Sequence, residues 1–245
     1  MDSSDNATKT EFAYRTLRQD ILDTRLQPGA PLRLGAIRDA YGMGWTPLRE
    51  ALSRLEAEHL VTSNANKGFT VAAVSMAELD DLSEARRLVD LPMLASSIAH
   101  GDVDWETELV AAHFRLSRCR PPAEDPEDLF ASDWENRHAA FHFALVSAGK
   151  SPWQIRFYTQ IHDHLRRHHR ALTFTPALAV SKEPQWRDSA VYRALREAVA
   201  LEPHTELMNA ALDRDVTRAV ALLDVHIGLT RDVFAAANGK DRPAP

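Results

Sequence analysis

The 245-residue sequence is 44% hydrophobic and 26% charged, the balance of a folded globular chain, which excludes a disordered or fibrous protein. Its net charge of -6 excludes a protein that is basic throughout, and its single cysteine, Cys119, excludes an intrachain disulfide and a cysteine-based zinc finger. No stretch approaches the ~18 apolar residues of a membrane span, and the polar start, residues 1–10, does not read as a secretory signal, so a cytoplasmic protein is expected.

The length allows two modest domains. Residues 1–74 hold nine Lys or Arg and nine Asp or Glu, whereas residues 75–245 hold 20 and 26. The acidic excess therefore lies in the second part, and any nucleic-acid contact must come from a local basic surface.

Between Lys9 and Thr24 the apolar residues Ala13, Leu17 and Ile21 recur every four positions, as on the buried face of a helix. Pro28-Gly29 then turns the chain. A short second helix is predicted over 34–41, stopping at Gly42 or Gly44. Thr46 is expected to cap a third helix with Pro47 in its first turn; it runs to about His59 and buries Leu48, Ala51, Leu52 and Leu55. The β-prone runs 60–62 and 69–71 flank a turn-forming stretch and predict a hairpin. Three helices followed by a hairpin make a winged helix-turn-helix.

Ser75 and Glu78 form a capping box. This predicts a boundary near Val74, with a DNA-binding domain over 1–74 and a helical effector-binding and dimerisation domain over 75–245. Gly101, Pro121-Pro122, Gly149 and Asn238-Gly239 are expected helix stops, and Asp125-Pro126, Ser151-Pro152 and Glu202-Pro203 expected starts. Residues 174–184 read as loop. With no strand signal after Val74, the second domain is expected to be an all-helical bundle of about six or seven helices. The predicted fold class is mainly α: a winged helix-turn-helix followed by a C-terminal all-helical bundle.

On the third helix Arg49 and Ser53 stand a turn apart and away from the Leu48/Leu52/Leu55 stripe, placed to enter a major groove. Arg49 is the candidate reader, because a guanidinium donates two bonds to guanine or clamps a phosphate, and Thr46 offers a further phosphate contact. Arg33 and Arg38 are candidates for the DNA backbone, and Lys67-Gly68 at the hairpin tip for the minor groove. Taken singly these residues read equally well as solvated surface groups; their order along the elements is what joins them.

His138 and His142 share a helical stripe with Trp134, Phe141 and Leu145. His204 shares one with Leu207, Met208 and Ala211, and His226 one with Leu222, Leu223 and Val233. Four inward imidazoles from three helix faces suit a transition metal. A buried histidine is also commonly a hydrogen-bonded core residue, and the short Cys/His spacing of structural zinc sites is absent. His162, His164, His168 and His169 are spread around a helix and read as surface or pocket-edge groups.

The run Ile21, Leu26-Gln27-Pro28-Gly29, Leu32, then Tyr41-Gly42-Met43-Gly44-Trp45-Thr46-Pro47-Leu48-Arg49-Glu50-Ala51-Leu52, then Leu55, Leu60-Val61 and Lys67-Gly68-Phe69 resembles the DNA-binding domain of GntR-family regulators. The stretch from Thr46 to Leu52 is its most specific part. Trp45 replaces the family's usual arginine before the Thr-Pro pair, which implies a lost charged operator contact and a different base preference. Likewise His138-x-x-Phe141-His142-x-x-Leu145, His204 before Ala210-Ala211-Leu212-Asp213-Arg214-Asp215, and Ala219, Leu223 and His226-Ile227 resemble the effector domain of the family's FadR-like branch.

That resemblance implies a divalent metal held by His138, His142, His204 and His226, with histidine in place of the usual acid at 138. An all-nitrogen set favours zinc, nickel or ferrous iron over magnesium or calcium. It also implies a bound carboxylate beside the metal. Arg86 interrupts the Leu79/Leu82/Val89/Met93 stripe and so needs an anion in the core, either that carboxylate or a structural partner such as Asp90. Arg167 and Arg170 are weaker candidates for the effector role. The pattern Trp134, Arg137-His138-Ala139-Ala140-Phe141-His142 looks most like glutarate-responsive carbon-starvation repressors, implying a dicarboxylate effector.

The reading that unites these features is a sequence-specific transcriptional regulator and not an enzyme: a homodimeric repressor, by family habit, on a palindromic operator. A metal-dependent enzyme acting on a small carboxylate is the alternative. It leaves the DNA-binding segment unexplained and lacks a carboxylate placed like the base of a His-Glu-x-x-His helix. A helical interaction protein with neither metal nor ligand is a third possibility.

Overall fold

The computed structural model describes residues 3–64, 68–124, 128–182 and 184–237. The chain divides into two compact units, one of Met1–Leu79 with Asp163–Ala171 and one of Asp80–His162 with Leu172–Pro245.

The first unit begins with α1 (Ser3–Leu22), whose stripe Ala13, Leu17 and Ile21 is fully buried against Leu48, Ala51, Leu52 and Leu55 of α3 (Trp45–Ala57). Each such leucine contributes about 1.5–3 kcal/mol by leaving water. Between them lies α2 (Leu34–Tyr41), ended by Gly42 at φ 62°, whose N–H returns to the Arg38 carbonyl. Gly44 then serves as the N-cap of α3. Thr46 is therefore inside the first turn and does not cap, contrary to expectation, because the helix starts at Trp45, two residues before Pro47.

The hairpin is β2 (Val61–Asn64) with β3 (Gly68–Val71), antiparallel, with Thr62 opposite Thr70. A strand that the sequence did not announce, β1 (Pro31–Leu32), pairs with the other edge of β3, giving the order β1-β3-β2. The wing is thus a three-stranded sheet. Lys67 lies outside the described residues.

The second unit is helical among its described residues. After Val74 the helices are α4 (Met76–His100), α5 (Val103–Ser117), α6 (Asp128–Val146), α7 (Pro152–His169), α8 (Thr175–Val180), α9 (Ala190–Ala198), α10 (Leu201–Leu212) and α11 (Val216–Ala237). The capping box at the start of α4 forms, with the Glu78 N–H donating to Ser75 Oγ at 3.1 Å. Pro92 sits inside α4 without a donor for the preceding turn, and the helix continues because Met93, Leu94 and Ile98 are buried in the core. Asp102 caps α5 by accepting from the Trp105 N–H, and the Trp105 indole donates to the Ala144 carbonyl at 2.8 Å, tying α5 to α6.

Two further sequence expectations change. Residues 174–184 are not all loop: a π-type turn, Arg170–Phe174, leads into α8, whose early Pro176 is compatible with a helix start and whose Ala177 is buried. The end of α7 also groups with the first unit. There Arg18 pairs with Asp163, His164 Nε2 donates to the Glu58 carbonyl at 2.9 Å, and Arg166 donates to Asp23 at 2.7 Å. Asn238-Gly239 and Asp125-Pro126 lie outside the described residues.

A Cβ on Gly101 would stand 2.3 Å from the Trp105 ring and 2.7 Å from the Ser97 carbonyl oxygen. Gly101→Ala is expected to destabilise the second unit by about 1–3 kcal/mol in urea unfolding. His59→Gly should have the opposite sign, because His59 ends α3 at φ 58° and glycine relieves about 1 kcal/mol there.

Candidate functional site

Helix α6 presents His138 and His142 one turn apart, α10 presents His204, and α11 presents His226. One ligand atom from each of the four lies within 4.8 Å of all the others. His142, His204 and His226 are buried, and Trp134 stacks on His138 with ring centroids 4.4 Å apart. His142 Nε2 and His138 Nε2 are 3.1 Å apart; two nitrogens on one tetrahedral ion at ~2.0–2.1 Å sit roughly 3.3 Å apart. His204 Nδ1 donates to the Ala200 carbonyl at 2.7 Å. That bond fixes the tautomer and leaves Nε2 as a bare lone pair, buried and without a hydrogen-bond partner. A backbone carbonyl orienting one ring nitrogen while the other faces a cluster of donors is the usual outer support of a metal-binding histidine, so the residues fit a divalent ion.

Burial and the neighbouring His138, His226, Arg86 and His204 hold the His142 imidazole well below its ordinary value. His204 is lowered to about 4, chiefly by burial, against the opposing pull of its bond to Ala200. Both rings are therefore neutral near pH 7, the state a metal requires.

Arg86, buried on α4, donates from Nε to Asp90 Oδ2 at 2.9 Å, and His162 Nε2 meets the same oxygen at 2.9 Å. Burial works to raise the Asp90 carboxyl, but His162 and Arg86 outweigh it and hold the acid low. Asp90 Oδ1 and the Tyr158 hydroxyl, both buried, find no hydrogen-bond partner. The ion pair with Asp90 thus forms, and Arg86 nonetheless stands near enough for its charge to act on His142 and His204.

A cleft of about 250 Å³ is lined by Leu116, Cys119, Trp134, Leu201 and His204 among others. It is below the ~300–1,000 Å³ typical of drug-sized ligands. At its side the Cys119 thiol donates to Asp133 at 3.3 Å and is pushed up to about 11 by burial and that carboxylate.

Arg167 and Arg170 are placed in the first unit. Arg167 is fully buried and donates to the Ala73 carbonyl at 2.8 Å, while Arg170 lies 3.7 Å from Asp23. His164 and His168 are buried as well, contrary to the surface reading: His164 bonds to Glu58 and His168 stands 3.0 Å from the Glu78 carboxylate. The tract is only partly satisfied in its burial: His164 and one Arg167 nitrogen reach backbone carbonyls, while Arg167 Nε and Nη1 are buried without a hydrogen-bond partner.

On the first unit Trp45, Thr46, Arg49 and Ser53 are all exposed along α3, and Arg33 is exposed just before α2. Most arginines of this unit are paired, as Arg18 is with Glu58, Arg25 with Asp20 and Arg54 with Glu11. Arg33 and Arg49 have no ion-pair partner among the described residues, which leaves both charges available to phosphate or base. Arg38 is spent differently, bonded to Asp39 and lying 4.7 Å over the Trp45 ring. Gly68 starts β3 at φ 79°.

His113 was not singled out in the sequence, although Leu109, Ala112, His113 and Leu116 form a helical stripe. It meets the Phe141 ring edge-on, its Nε2 is 2.8 Å from Thr205 Oγ1, and its charge is felt at His204. Tyr158 was missed too, for a helical tyrosine reads as ordinary core.

Residues 9–71 match the family model described as bacterial regulatory proteins, gntR family, and residues 81–229 match the FCD domain. The HTH-type transcriptional regulator BphR of Paraburkholderia xenovorans is 32% identical over 89% of this chain and 81% of its own. The HTH-type transcriptional repressor GlaR of Escherichia coli is 32% identical over 87% of this chain and 90% of its own. Among solved structures, McbR/YncC of E. coli matches 98% of this chain and 99% of its own, at TM-score 0.68 and 20% identity, a likeness of fold. A GntR regulator from Rhodococcus sp. RHA1 matches 96% of this chain and 100% of its own, at TM-score 0.66 and 21% identity.

The lowered histidines set a pH dependence. Their folded-state values lie below the ordinary 6.5, so as pH falls the unfolded chain takes up protons first. The stability that depends on neutral imidazoles is complete above about 6.5 and is lost as pH falls toward about 4. In the presence of a chelator, the urea midpoint followed by tryptophan fluorescence should drop between pH 7 and 4.5, and His204→Gln should flatten the drop. An unchanged slope in that variant would contradict the assignment.

Proposed function

Since the chain belongs to the GntR family of bacterial regulatory proteins and carries an FCD domain, we propose that it is a cytoplasmic, homodimeric repressor released from or recruited to a palindromic operator by a small carboxylate. Its family and its relatives are transcriptional regulators, not enzymes. The observation that carries the effector reading is the convergence of four imidazoles, two of which feel the charge of the buried Arg86.

In this reading His138, His142, His204 and His226 hold a zinc, nickel or ferrous ion. When bound, such an ion supplies Lewis-acid attraction for a carboxylate oxygen. The donor set is four imidazole nitrogens, so no anionic ligand in it offsets a double positive charge, and Arg86 adds to the positive field. A carboxylate effector supplies the missing negative charge. Arg86 orients it through guanidinium nitrogens beyond the one held by Asp90, and the small cleft at His204 favours a short mono- or dicarboxylate. The repressor reading is supported by GlaR, a repressor similar over most of its length.

On the DNA side, Arg49 reads a base edge in the major groove and Ser53 stands one turn further along the same face. Thr46 and Arg33 grip phosphate, and Gly68 with Lys67 brings the wing toward the minor groove.

Protein purified without chelator should carry about one transition metal per chain, and His204→Ala with His226→Ala should abolish it. A thermal-shift screen of C2–C6 mono- and dicarboxylates should find an acid that raises the melting point only with metal present. Absence of stoichiometric metal, with those variants losing only packing stability, would overturn the metal reading. For DNA, Arg49→Ala should weaken operator binding by about 1–3 kcal/mol in a fluorescence titration and relax specificity at one base pair.

A further inference from the structure

We infer that Trp45 is a specificity-determining residue that recognises a thymine through its C5-methyl group, with Arg38 as the side chain that holds the indole in place. The inference rests on the DNA-binding reading above and adds a base and a contact to it.

Trp45 is the first residue of α3 and is 46% exposed. Trp45, Arg49 and Ser53 follow one another at four-residue spacing, so the indole shares the face from which Arg49 projects. An exposed indole on a reading face carries an energetic cost unless something apolar covers it. Its position is fixed: the Arg38 guanidinium lies 4.7 Å from the ring centroid and is itself anchored by Nε on Asp39 at 2.7 Å. With its charge shared between Asp39 and the ring, Arg38 acts more as a plate than as a phosphate clamp.

An indole has one N–H donor and no acceptor, so it cannot make the bidentate bonds that identify guanine or adenine. Of the four bases, thymine alone presents a methyl group in the major groove. A rigid apolar ring entering that groove therefore discriminates best by covering this methyl.

The test begins with duplexes enriched from a random pool by the full-length protein. If no sequence is enriched, the DNA-binding reading itself fails. With an enriched operator in hand, each thymine is replaced in turn by deoxyuridine, which removes only the methyl, and affinities are compared for wild type and Trp45→Ala. The expected result is one thymine whose methyl is worth about fourfold in affinity to the wild type and less than twofold to Trp45→Ala. Trp45→Phe, which keeps a ring, should retain the methyl sensitivity. Trp45→Arg should lose it, select guanine there, and steepen the salt dependence by about one phosphate equivalent. If wild type and Trp45→Ala bind the operator with the same response to every uracil, or if Trp45→Arg selects the same sequence as wild type, the inference is overturned.

Discussion

Burying four imidazoles around one point is the constraint on which the second unit depends. A charged imidazole in that core would have to be paired or hydrated, and among the described residues the cluster holds no carboxylate, so burial favours neutral rings at His142 and His204. Each helix that supplies a ligand brings apolar neighbours with it: Phe141 and Leu145 on α6, Leu207 and Ala211 on α10, Leu223 and Ile227 on α11, all in one core. The packing that makes the bundle stable is thus the same packing that holds the four imidazoles in register. The Ala200 carbonyl, at the N-cap of α10, is where backbone architecture sets the chemistry, because it decides which nitrogen of His204 carries the proton.

The first unit follows a different rule, one of charge placement. Its basic and acidic residues are evenly matched in the sequence, yet the pairs they form are concentrated on α1, the end of α3 and the last turns of α7. Among the described residues, neutralising those positions leaves positive charge without an ion-pair partner on the outer face of α3, at Arg49, and just before α2, at Arg33. A protein of net negative charge can present a basic reading surface in this way, by pairing its cations everywhere else.

Much of this was legible in the sequence. The limits of α2 could be read because Gly42 gives the chain the left-handed turn that stops a helix. The four histidines could be found because each interrupts an apolar stripe, but the 61 residues between His142 and His204 carry no spacing that says they meet; their shared inward direction suggested it, and the resemblance gave it as a ligand set. Other features were invisible for physical reasons. Two residues, Pro31–Leu32, are too few to show alternation, and they form a strand only because β3 has an unpaired edge to offer. Helix α8 was hidden by Pro176, which reads as a breaker from sequence yet is tolerated where the first N–H groups need no partner. The burial of His164, His168 and Arg167 could not be read from polarity alone, since what permits it is a set of carbonyls and carboxylates from distant residues.

The Cys119 thiol, raised by burial and by Asp133, bears on how this protein weathers oxidising conditions. A thiolate, not a thiol, is the nucleophile that attacks peroxide and disulfides. At neutral pH this sulfur is almost wholly protonated, and the chain has no second cysteine with which to couple. The candidate ligands beside it are nitrogens that form no disulfides. A cluster built on imidazole alone, with the one sulfur nearby kept protonated, offers little for the cellular thiol balance to act on.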